Sequence, residues 1–372
     1  MREVKNVPEI RFNGFTNAWE HCEIKNIAQV ANGKSNKNNS IDNGIYPFFV
    51  RSEIILKSNK YLYDEEAIIT IGEGNIGKVF HYINGKYDLH QRCYKISNFK
   101  NINGKYFYWY FSSKFYERVI MLSAKSTVDS VRMDMIVDMQ IAHPKEYKEQ
   151  IKIAKLLDNF NTLIVLHQRK LTSLTQIKTS LLDKMFVSES ESKPKIRFNN
   201  FTHAWEHCKL KELCVIKVGK LNANAMDPHG KYNFYTSGIQ IFKINKYSFE
   251  GPSITIAGNG ASVGYLHLAD GKFDAYQRTY VLNSFQADRV FIFYYLKNNL
   301  QTIIKEEARF GNIPYIVTDM LSEFDIRKTS IIEQNKIGKL LFNIDSLITL
   351  HQRKLKKLEE IKKAMLDKMF VG

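Results

Sequence analysis

The feature of this sequence that most constrains its fold is a repeat at both ends of each half of the chain. Residues 8–27 read PEIRFNGFTNAWEHCEIKNI and residues 194–213 read PKIRFNNFTHAWEHCKLKEL, so thirteen of twenty positions are identical. Residues 149–187 and 333–371 match in the same way, with 25 of 39 positions identical. Self-similarity at a fixed spacing indicates that one structural unit is present twice.

Between the matched ends, the two halves have diverged. The similarity that remains is ITIGEGNIGKVFHYINGKYDLHQRCY at residues 69–94 against ITIAGNGASVGYLHLADGKFDAYQRTY at residues 254–280. Constant ends predict that both halves are built in the same way. Variable middles predict that the two halves perform related but different tasks.

The middle of each half combines short strand signals with one helical stretch, which predicts an α+β fold. Residues 67–71 and 253–256 are rich in β-branched side chains, and the turn dipeptides Asn84–Gly85 and Asp270–Gly271 follow them. We expect one helix in each middle, near Lys105–Ser113 and near Asp288–Asn299.

A polar stretch that begins at Ser188, SESESKPK, has linker character and separates the halves. We therefore predict five segments, which are a first domain at 1–148, its helix at 149–187, a linker at 188–193, a second domain at 194–332 and its helix at 333–372.

The segment from Glu149 to Val187 contains neither Gly nor Pro, and its apolar residues follow one another at spacings of four and three. Such a helix would be about 57 Å long. An apolar seam over about five heptads predicts a coiled-coil partner, and the matching helix of the other half is the obvious one. Because the linker is short, we expect an antiparallel pair with pseudo-twofold symmetry. The residues expected in the helix pair are Leu157, Ile164, His167, Leu171, Leu174, Leu341, Ile348, His351, Leu355 and Leu358.

Two interpretations of the helix pair stay open, a plain dimerisation hairpin and a spacer that separates two copies of a variable domain. The duplicated domain favours the spacer. His167 and His351 lie on the seam, and no Ser, Cys or acid recurs at a fixed spacing from them, so we interpret them as structural residues and not as catalytic ones.

The charge of the chain favours a polyanionic partner. There are 54 Lys and Arg against 38 Asp and Glu, a formal net charge of +16, and nucleic acid is the commonest polyanion that such a protein binds. A solvated basic surface without a ligand would give the same composition. No apolar run of 18 residues and no signal segment occurs, and the four Cys form no C-x-x-C pair. We therefore expect a cytoplasmic protein without a membrane partner or a metal site.

The segment Gly72–Gly77 matches G-x-G-x-x-G after a strand, which is typical of dinucleotide or adenosylmethionine sites. The alternating residues that follow predict another strand where such a site needs a helix, and the second copy, Gly258–Gly264, has a different spacing. A tight turn between strands is the simpler interpretation. A phosphate held by backbone N–H groups is about equally consistent with the pattern.

Candidate DNA contacts come from loops rich in Lys, Asn, Ser and Arg. The pairs Gln91–Arg92 and Gln277–Arg278 occur in both halves, which favours a structural or phosphate-binding role, whereas base recognition is expected in loops that differ. The candidates are Lys34, Ser35, Asn36, Lys37, Gly74, Asn75, Gln91, Arg92, Lys125, Ser126 and Arg132 in the first half and Lys220, Asn222, Asn224, Asn259, Gln277, Arg278, Arg309 and Asn312 in the second.

The sequence lacks the motifs of the enzymes that act on DNA. An adenine methyltransferase has an N/D-P-P-Y/F segment, but no two of the seven Pro are adjacent, and no G-x-x-x-x-G-K-S/T phosphate loop occurs. We therefore expect no catalytic residues, and a role in recognition.

The duplicated PxIRFxxFTxAWE segments, the repeated ITI…G…QR pattern and the duplicated EQxKI…LHQRKL…DKMF helices resemble the specificity subunits of type I restriction–modification enzymes over the whole chain. The resemblance implies two target recognition domains, each specific for one half of a split DNA site, joined by two long antiparallel helices that set the gap. It also implies that the chain binds double-stranded DNA together with two modification subunits and with restriction subunits. S-adenosylmethionine, ATP and Mg²⁺ would be bound by those partners, and no cofactor by this chain.

One departure from symmetry is Asp158, which is matched by Phe342, so the two helices need not present the same surface.

Two other classes of protein remain as alternatives to a specificity subunit. They are a free-standing DNA-binding protein and a scaffold whose only function is its coiled coil.

Overall fold

The structure is a computed structural model that describes residues 6–123, 130–187, 191–307 and 315–371. The chain divides into two compact units. Unit 1 comprises residues 1–167 and 354–372, and unit 2 comprises residues 168–353. Each unit thus contains one globular domain, the first part of the helix that follows this domain, and the last part of the other long helix.

Unit 1 contains a six-stranded sheet. Its elements in chain order are β1 (Glu20–Glu23), α1 (Ile24–Ile27), β2 (Gln29–Asn32), β3 (Tyr46–Phe49), β4 (Leu56–Ser58), β5 (Tyr63–Ile71), β6 (Phe80–Leu89), β7 (Cys93–Ser97), α2 (Gly104–Ser123), α3 (Met133–Val137) and β8 (Gln140–His143), followed by α4 (Tyr147–Met185). The strand order is β2-β7-β5-β6-β3-β4, with β3 and β6 parallel and the other neighbours antiparallel, while β1 and β8 form a separate pair. Helix α2 includes the helix predicted from the sequence.

Unit 2 repeats this order with the strands divided between two four-stranded sheets, β10-β17-β14-β15 and β12-β11-β16-β13, and a two-stranded pair, β9-β18. Its elements are β9 (Glu206–Lys209), α5 (Leu210–Leu213), β10 (Val215–Val218), β11 (Tyr232–Tyr235), β12 (Ile241–Ile244), β13 (Phe249–Glu250), β14 (Ser253–Ala257), β15 (Leu266–Ala269), β16 (Lys272–Ala275), β17 (Thr279–Asn283), α6 (Arg289–Glu307), α7 (Thr318–Ser322), β18 (Asp325–Lys328) and α8 (Ile331–Met369). Both units are therefore α+β, as the sequence predicts.

The turn predicted at Asn84–Gly85 is wrong. Strand β6 continues through both residues, which pair with Glu66 and Glu65 of β5. The nine residues of β5 are long enough to hold β6 extended on both sides of the dipeptide. In unit 2, β14 has only five residues and does not reach the corresponding region, and Gly271, with φ of +68°, bends the chain between β15 and β16.

Strand pairing also corrects the alignment of the two halves by one residue. Ile71 pairs with Cys93 in unit 1, and Ala257 pairs with Thr279 in unit 2. Ala257 and Thr279 each lie 186 residues after their counterparts in unit 1. The shared letters ITI, at residues 69–71 and 254–256, align with a difference of only 185. Through the sheet, residue i of unit 1 therefore corresponds to residue i + 186 of unit 2.

The core of unit 1 lies between helix α2 and the large sheet. Phe107, Phe111 and Phe115 are completely buried and stack along one face of α2. The end of the chain closes this core, because the hydroxyl of Tyr110 donates a hydrogen bond to the carbonyl oxygen of Val371 at 3.0 Å.

Within unit 1, the first part of α4 and the last part of α8 run antiparallel. Ile153 and Leu157 lie in the same core as Met369. Further along α4, Asn161 accepts a hydrogen bond from Nζ of Lys362 at 2.9 Å. Residue numbers therefore rise along α4 while those of its neighbours in α8 fall.

Unit 2 contains the reciprocal arrangement. Met185 at the end of α4 lies in one core with Ile337 and Leu341 near the start of α8. Lys178 of α4 forms an ion pair with Asp345 of α8. These two residues correspond to Lys362 and Asn161 of unit 1, so the same contact is made twice with the roles of the helices exchanged.

All residues predicted for the helix seam are at least partly buried. Buried are Leu157, Ile164, Leu174 and Leu341, and partly buried are His167, Leu171, Ile348, His351, Leu355 and Leu358. The antiparallel pairing predicted from the sequence is confirmed within each unit, and the burial of these residues agrees with the predicted seam. In the ranges that the structure describes, no helix has the length and apolar character needed to cross a membrane.

The shared motifs at the ends of each half meet in a buried ion pair. Arg11 donates from Nε and Nη2 to the two carboxylate oxygens of Glu149, at 2.7 and 2.8 Å, and Glu149 is completely buried. Arg197 and Glu333 form the same pair in unit 2 at the same two distances. The IRF and EQ motifs are therefore repeated because together they attach the N-terminal segment of each domain to its long helix.

The glutamine of each EQ motif lies in a long helix and accepts a hydrogen bond from the backbone just before the shorter helix, α2 or α6, of its domain. Oε1 of Gln150 accepts a hydrogen bond from the backbone N–H of Asn103, at 2.7 Å, just before α2. Oε1 of Gln334 accepts one from the N–H of Asp288, at 2.9 Å, just before α6. Backbone N–H groups at a helix start lack partners within the helix, so these bonds satisfy groups that are otherwise unpaired.

Candidate nucleic-acid interface

Loops from distant parts of the sequence meet at one edge of the unit 1 sheet. They are the hairpin loop between β5 and β6, the turn between β6 and β7 and the segment after β2. Backbone hydrogen bonds join these segments. The N–H of Gly72 donates to the carbonyl oxygen of Arg92 at 2.9 Å, and the N–H of Gln91 donates to that of Ser35 at 2.9 Å. The N–H of Val131 donates to the carbonyl oxygen of Gly72 at 2.8 Å. The resulting cleft has a volume of about 590 Å³, and its polar lining includes Asn32, Glu73, Gln91, Arg92, Ser130 and Arg132.

Unit 2 assembles the same edge with the same hydrogen bonds. The N–H of Gly258 donates to Arg278 at 2.7 Å, that of Gln277 donates to Leu221 at 2.8 Å, and that of Ile316 donates to Gly258 at 2.7 Å. The turn that carries Gln and Arg is therefore a shared part of the framework, and it holds the Gly-rich loop in place in both units.

The Gly-rich loop is the connection of a β-hairpin. Strand β6 follows Gly77, so the helix that a dinucleotide site requires is replaced by a strand, and the turn interpretation is confirmed. Gly74 has φ of +90° and open space around its α-carbon, so its backbone conformation is what favours glycine there. A side chain at Gly77 would meet Tyr116 and Val119 of α2 at 3.2 to 3.3 Å, so this glycine lets the loop approach the helix.

Most of the candidate DNA contacts have exposed side chains or backbone. Exposed are Lys34, Asn36, Lys37, Gly74, Asn75, Gln91, Arg92 and Arg132 in unit 1 and Lys220, Asn222, Asn224, Gln277 and Arg278 in unit 2, while Asn259 is partly exposed. Lys125, Ser126, Arg309 and Asn312 lie outside the described residues.

Ser35 is the exception, and its selection as a surface contact is wrong. Its side chain is buried, and its hydroxyl donates to Oδ1 of Asp88 at 2.6 Å. Asp88 is itself buried and accepts a second hydrogen bond from the N–H of Leu89 at 2.8 Å. Ser35 therefore satisfies a buried carboxylate within the fold.

The corrected alignment separates the exposed and partly exposed residues of this edge into two sets. The shared set consists of Lys34 and Lys220, Asn36 and Asn222, Gln91 and Gln277, and Arg92 and Arg278. The set that differs consists of Lys37 and Ala223, Arg51 and Ser237, Glu73 and Asn259, Asn75 and Ala261, and Arg132 and Val317, the last pair preceding α3 and α7. Unit 1 thus presents four charged side chains where unit 2 presents none.

Glu73 connects two arginines in unit 1. Its Oε2 accepts a hydrogen bond from Nη1 of Arg51 at 2.8 Å, and its Oε1 accepts one from Nη1 of Arg92. The hydrogen bond from Arg92 is the largest cause that lowers the pKa of Glu73, and Arg51 adds to it. The two arginine side chains stay about half exposed, at 47% and 56%. In unit 2 the corresponding residues, Ser237 and Asn259, carry no charge.

Arg51 and Glu73 were missed by the sequence analysis. Glu73 lies inside a loop selected only for its glycines, and Arg51 follows an apolar strand some twenty residues earlier. The available signal was the difference between the halves at these positions. The shared letters ITI pair Glu73 with Gly258, and the strand-based alignment replaces this partner by Asn259.

Each long helix also exposes a pair of leucines. Leu163 and Leu166 of α4 are 44% and 54% exposed, and Leu347 and Leu350 of α8 are 44% and 45% exposed. The two pairs occupy matching positions in the repeat, so the same small apolar surface is presented once by each unit.

The departure at Asp158 and Phe342 changes the surface of the same two helices. Asp158 accepts hydrogen bonds from Nε1 of Trp109 at 2.9 Å and from Nζ of Lys105 at 2.5 Å, so it attaches α4 to α2. Phe342 is 47% exposed. The two helices therefore differ in surface, as the sequence suggests.

The chain contains a duplicated α+β domain, and each copy has the same polar loop edge and one long helix. This combination defines a class of paired recognition domains. The family described as the type I restriction modification DNA specificity domain matches residues 17–176 and again residues 203–360. Together the two matches cover most of the chain, which therefore belongs to the family of type I restriction–modification specificity proteins.

Individual relatives agree with this assignment. The chain is 33% identical over 157 residues to the type I restriction enzyme EcoDI specificity subunit of Escherichia coli, a match that covers 42% of this chain and 34% of that protein. It is 24% identical to the MjaVIII specificity subunit of Methanocaldococcus jannaschii, over 88% of this chain and 86% of that one. The crystal structure of the type I restriction–modification system S subunit from M. genitalium superposes with a TM-score of 0.75 at 20% identity, over 98% of this chain and 99% of that chain. This last similarity shows the shared fold.

Proposed function

We propose that this chain is the DNA-recognition subunit of a type I restriction–modification complex, in which unit 1 and unit 2 each bind one half of a split DNA site. The observation that carries the proposal is the duplicated loop edge, with a shared set of polar residues and a set that differs between the units. The shared Lys34, Lys220 and Arg278 suit phosphate contacts that both half-sites offer, and the differing residues suit base contacts. The net charge of +16 supplies long-range attraction for DNA.

The long helices set the distance between the half-sites in this proposal. One heptad inserted into α4 and one into α8 at matching positions would lengthen the pair by about 10 Å. Since DNA rises by about 3.4 Å per base pair, the gap between the half-sites should widen by about three base pairs, and neither half-site should change. A change in the half-sites without a change in the gap would contradict the role of the helices.

The chemistry of modification and restriction is assigned to partner subunits. We propose two modification subunits, because the exposed pair Leu163 and Leu166 recurs as Leu347 and Leu350 and offers the same docking surface twice. Those subunits would bind S-adenosylmethionine, and restriction subunits would use ATP and Mg²⁺. The role of this chain is then to hold DNA in register, without a catalytic step of its own.

The experiment is co-expression of the full chain with a candidate methyltransferase subunit from the same genome, followed by sequencing of methyladenine in the host DNA. We expect a split motif with a fixed gap. An uninterrupted motif, or a stable complex without methylation, would contradict two separate recognition domains and would favour a scaffold role. Sequence-specific DNA binding by the chain without any enzyme partner would favour a free-standing DNA-binding protein.

A further inference from the structure

The two units differ in charge at two positions of one hydrogen-bonded group at the loop edge. Unit 1 has Arg51, Glu73 and Arg92 in one hydrogen-bonded group, and the carboxylate lies between the two guanidinium groups. Unit 2 keeps Arg278 but has a serine and an asparagine at the other two positions. A protein that needed only phosphate contacts at this edge would gain nothing from a carboxylate there, because it repels phosphate.

We propose that Glu73 is a positioning residue that orients Arg51 and Arg92 for guanine recognition in the half-site bound by unit 1. This inference rests on the proposed function and names the side chains that give unit 1 its sequence preference. Guanine offers two acceptors in the major groove, N7 and O6, and an arginine binds both only when two of its N–H groups are held in one orientation. Each arginine of the group uses one N–H-bearing nitrogen on Glu73, so other donors remain for a base.

The position of Glu73 is itself fixed by the backbone around it. It forms an isolated antiparallel bridge with Ser130. The residue before it, Gly72, is bonded to the carbonyl oxygen of Arg92 and to the N–H of Val131. The carboxylate is therefore attached to a framework formed by three loops, which is the arrangement that keeps a recognition side chain in place.

Two properties follow from a carboxylate at this place. An arginine that is released from Glu73 is free to bind the nearest phosphate, which adds affinity for any sequence. An arginine that is held by Glu73 loses less side-chain entropy when it binds a base, and it discriminates against bases that lack the two acceptors. Glu73 thus lowers the affinity for DNA of any sequence and raises the discrimination between bases.

The test uses the complex of the full chain with its modification subunits and Glu73→Gln in unit 1. The probe is a duplex of about 40 base pairs that carries the split motif found for the wild-type complex, with each base pair of both half-sites replaced in turn. For wild type we expect a replaced G·C pair in the unit 1 half-site to weaken binding about 10-fold to 100-fold. For E73Q we expect this penalty to fall at least about fivefold, undiminished affinity for unrelated DNA, and a steeper dependence on salt by about one released counterion.

Two matched variants separate positioning from other effects. Asp64→Asn makes the same change from carboxylate to amide at the opposite, exposed end of β5, and it should leave discrimination unchanged. Lys34→Ala, in the shared set, should weaken binding to all duplexes by a similar factor. Discrimination in the unit 2 half-site should stay intact in E73Q, which also reports that the complex is folded.

Three results would overturn the proposal: unchanged discrimination in E73Q, an equal loss in both half-sites, or a preference for a different base at one position. The last would mean that Glu73 itself contacts a base, for instance the amino group of cytosine. The double variant Ser237→Arg with Asn259→Glu tests the idea from the other side, because it should add a preference for guanine to the unit 2 half-site. A wild-type complex that recognises no split motif would instead refute the proposed function.

Discussion

The buried ion pair between Arg11 and Glu149 allows the sharpest test of what holds the repeated framework together. Glu149 is completely buried, and the Arg11 side chain is 11% exposed. Removal of Glu149 by Glu149→Ala leaves a guanidinium charge in a site that water barely reaches. Breaking a buried pair in this way costs about 3–5 kcal/mol in free energy of unfolding, and we expect a loss in this range for unit 1.

Replacement of both partners should cost much less. In Arg11→Met with Glu149→Leu no buried charge remains, and apolar side chains of similar volume often restore most of the stability. Nη1 of Arg11 is already buried and has no hydrogen-bond partner among the residues that the structure describes, so its removal also relieves an unsatisfied donor. We expect a net loss below about 1.5 kcal/mol for the double variant.

The corresponding pair in unit 2 provides an internal comparison. Arg197 donates two additional hydrogen bonds, to the carbonyl oxygen of His203 at 2.6 Å and to Oγ1 of Thr329 at 3.4 Å. The same double replacement at Arg197 and Glu333 removes these bonds as well. At about 1 kcal/mol for each bond, it should cost about 1–2 kcal/mol more than the replacement in unit 1.

The assay is amide hydrogen exchange of the full chain, followed by mass spectrometry of peptides from β5 for unit 1 and from β14 for unit 2. Exchange of the most protected amides gives the opening free energy of each unit separately. Three outcomes would refute the reasoning: a loss below about 1 kcal/mol in E149A, a double variant as unstable as the single one, or equal costs in the two units.

Two further predictions concern the helix contact of unit 2 and the glycines of unit 1. Burial opposes ionisation of Asp345, but hydrogen bonds from Lys178 and Tyr294 outweigh burial and lower the pKa of this carboxyl group. The charged carboxylate therefore stabilises the folded state at pH values above its unfolded pKa, which is about 4. This contribution is lost as the pH falls through the lowered pKa of the folded state. Asp345→Asn should cost about 2 kcal/mol at pH 7 and progressively less as the pH falls below the unfolded pKa, as measured by urea unfolding, and a cost that does not depend on pH would contradict this. Gly74→Ala should cost only about 1–2 kcal/mol, because the backbone is left-handed but the space is open. Gly33→Ala should cost more than about 3 kcal/mol in the same assay, since its Cβ would lie 2.3 Å from the carbonyl oxygen of Leu89, and equal costs would contradict the distinction.

The sequence predicts the repeated and local parts of this molecule well. The long helices, their seam and the helix at the middle of each domain follow from periodicity, because an amphipathic helix depends mainly on residues three and four apart. Asn84–Gly85 failed for the opposite reason. The strand that contains this dipeptide is held by residues of β5 about twenty positions away, and such pairing overrides local turn preference.

The residues of the candidate interface also divide into those that the local sequence predicts and those that depend on distant parts of the chain. Lys34, Gln91 and Arg92 could be selected from composition and repetition alone. The selection of Ser35 failed because its partner, Asp88, approaches only when β2 and β6 are brought together in the fold. The group formed by Glu73 was missed because its members come from three connections of the sheet, and no local pattern marks them.

The structure gives a physical reason why the two halves retain the same ends and differ at the loop edge. Arg11 and Glu149 are 138 residues apart and meet in a buried pair, so a change at either one leaves a buried charge or an unsatisfied donor at a cost of several kcal/mol. Two compensating changes would have to occur together, which keeps both copies alike. Arg51 and Glu73 are partly exposed, so either can change alone with a small effect on folding. A duplicated chain with this distribution of burial can alter what one unit binds while its framework stays fixed. Exchanging the exposed set between units should therefore transfer sequence preference with a loss of stability below about 1 kcal/mol, whereas replacing a single member of a buried pair by an apolar residue should cost its unit about 3–5 kcal/mol.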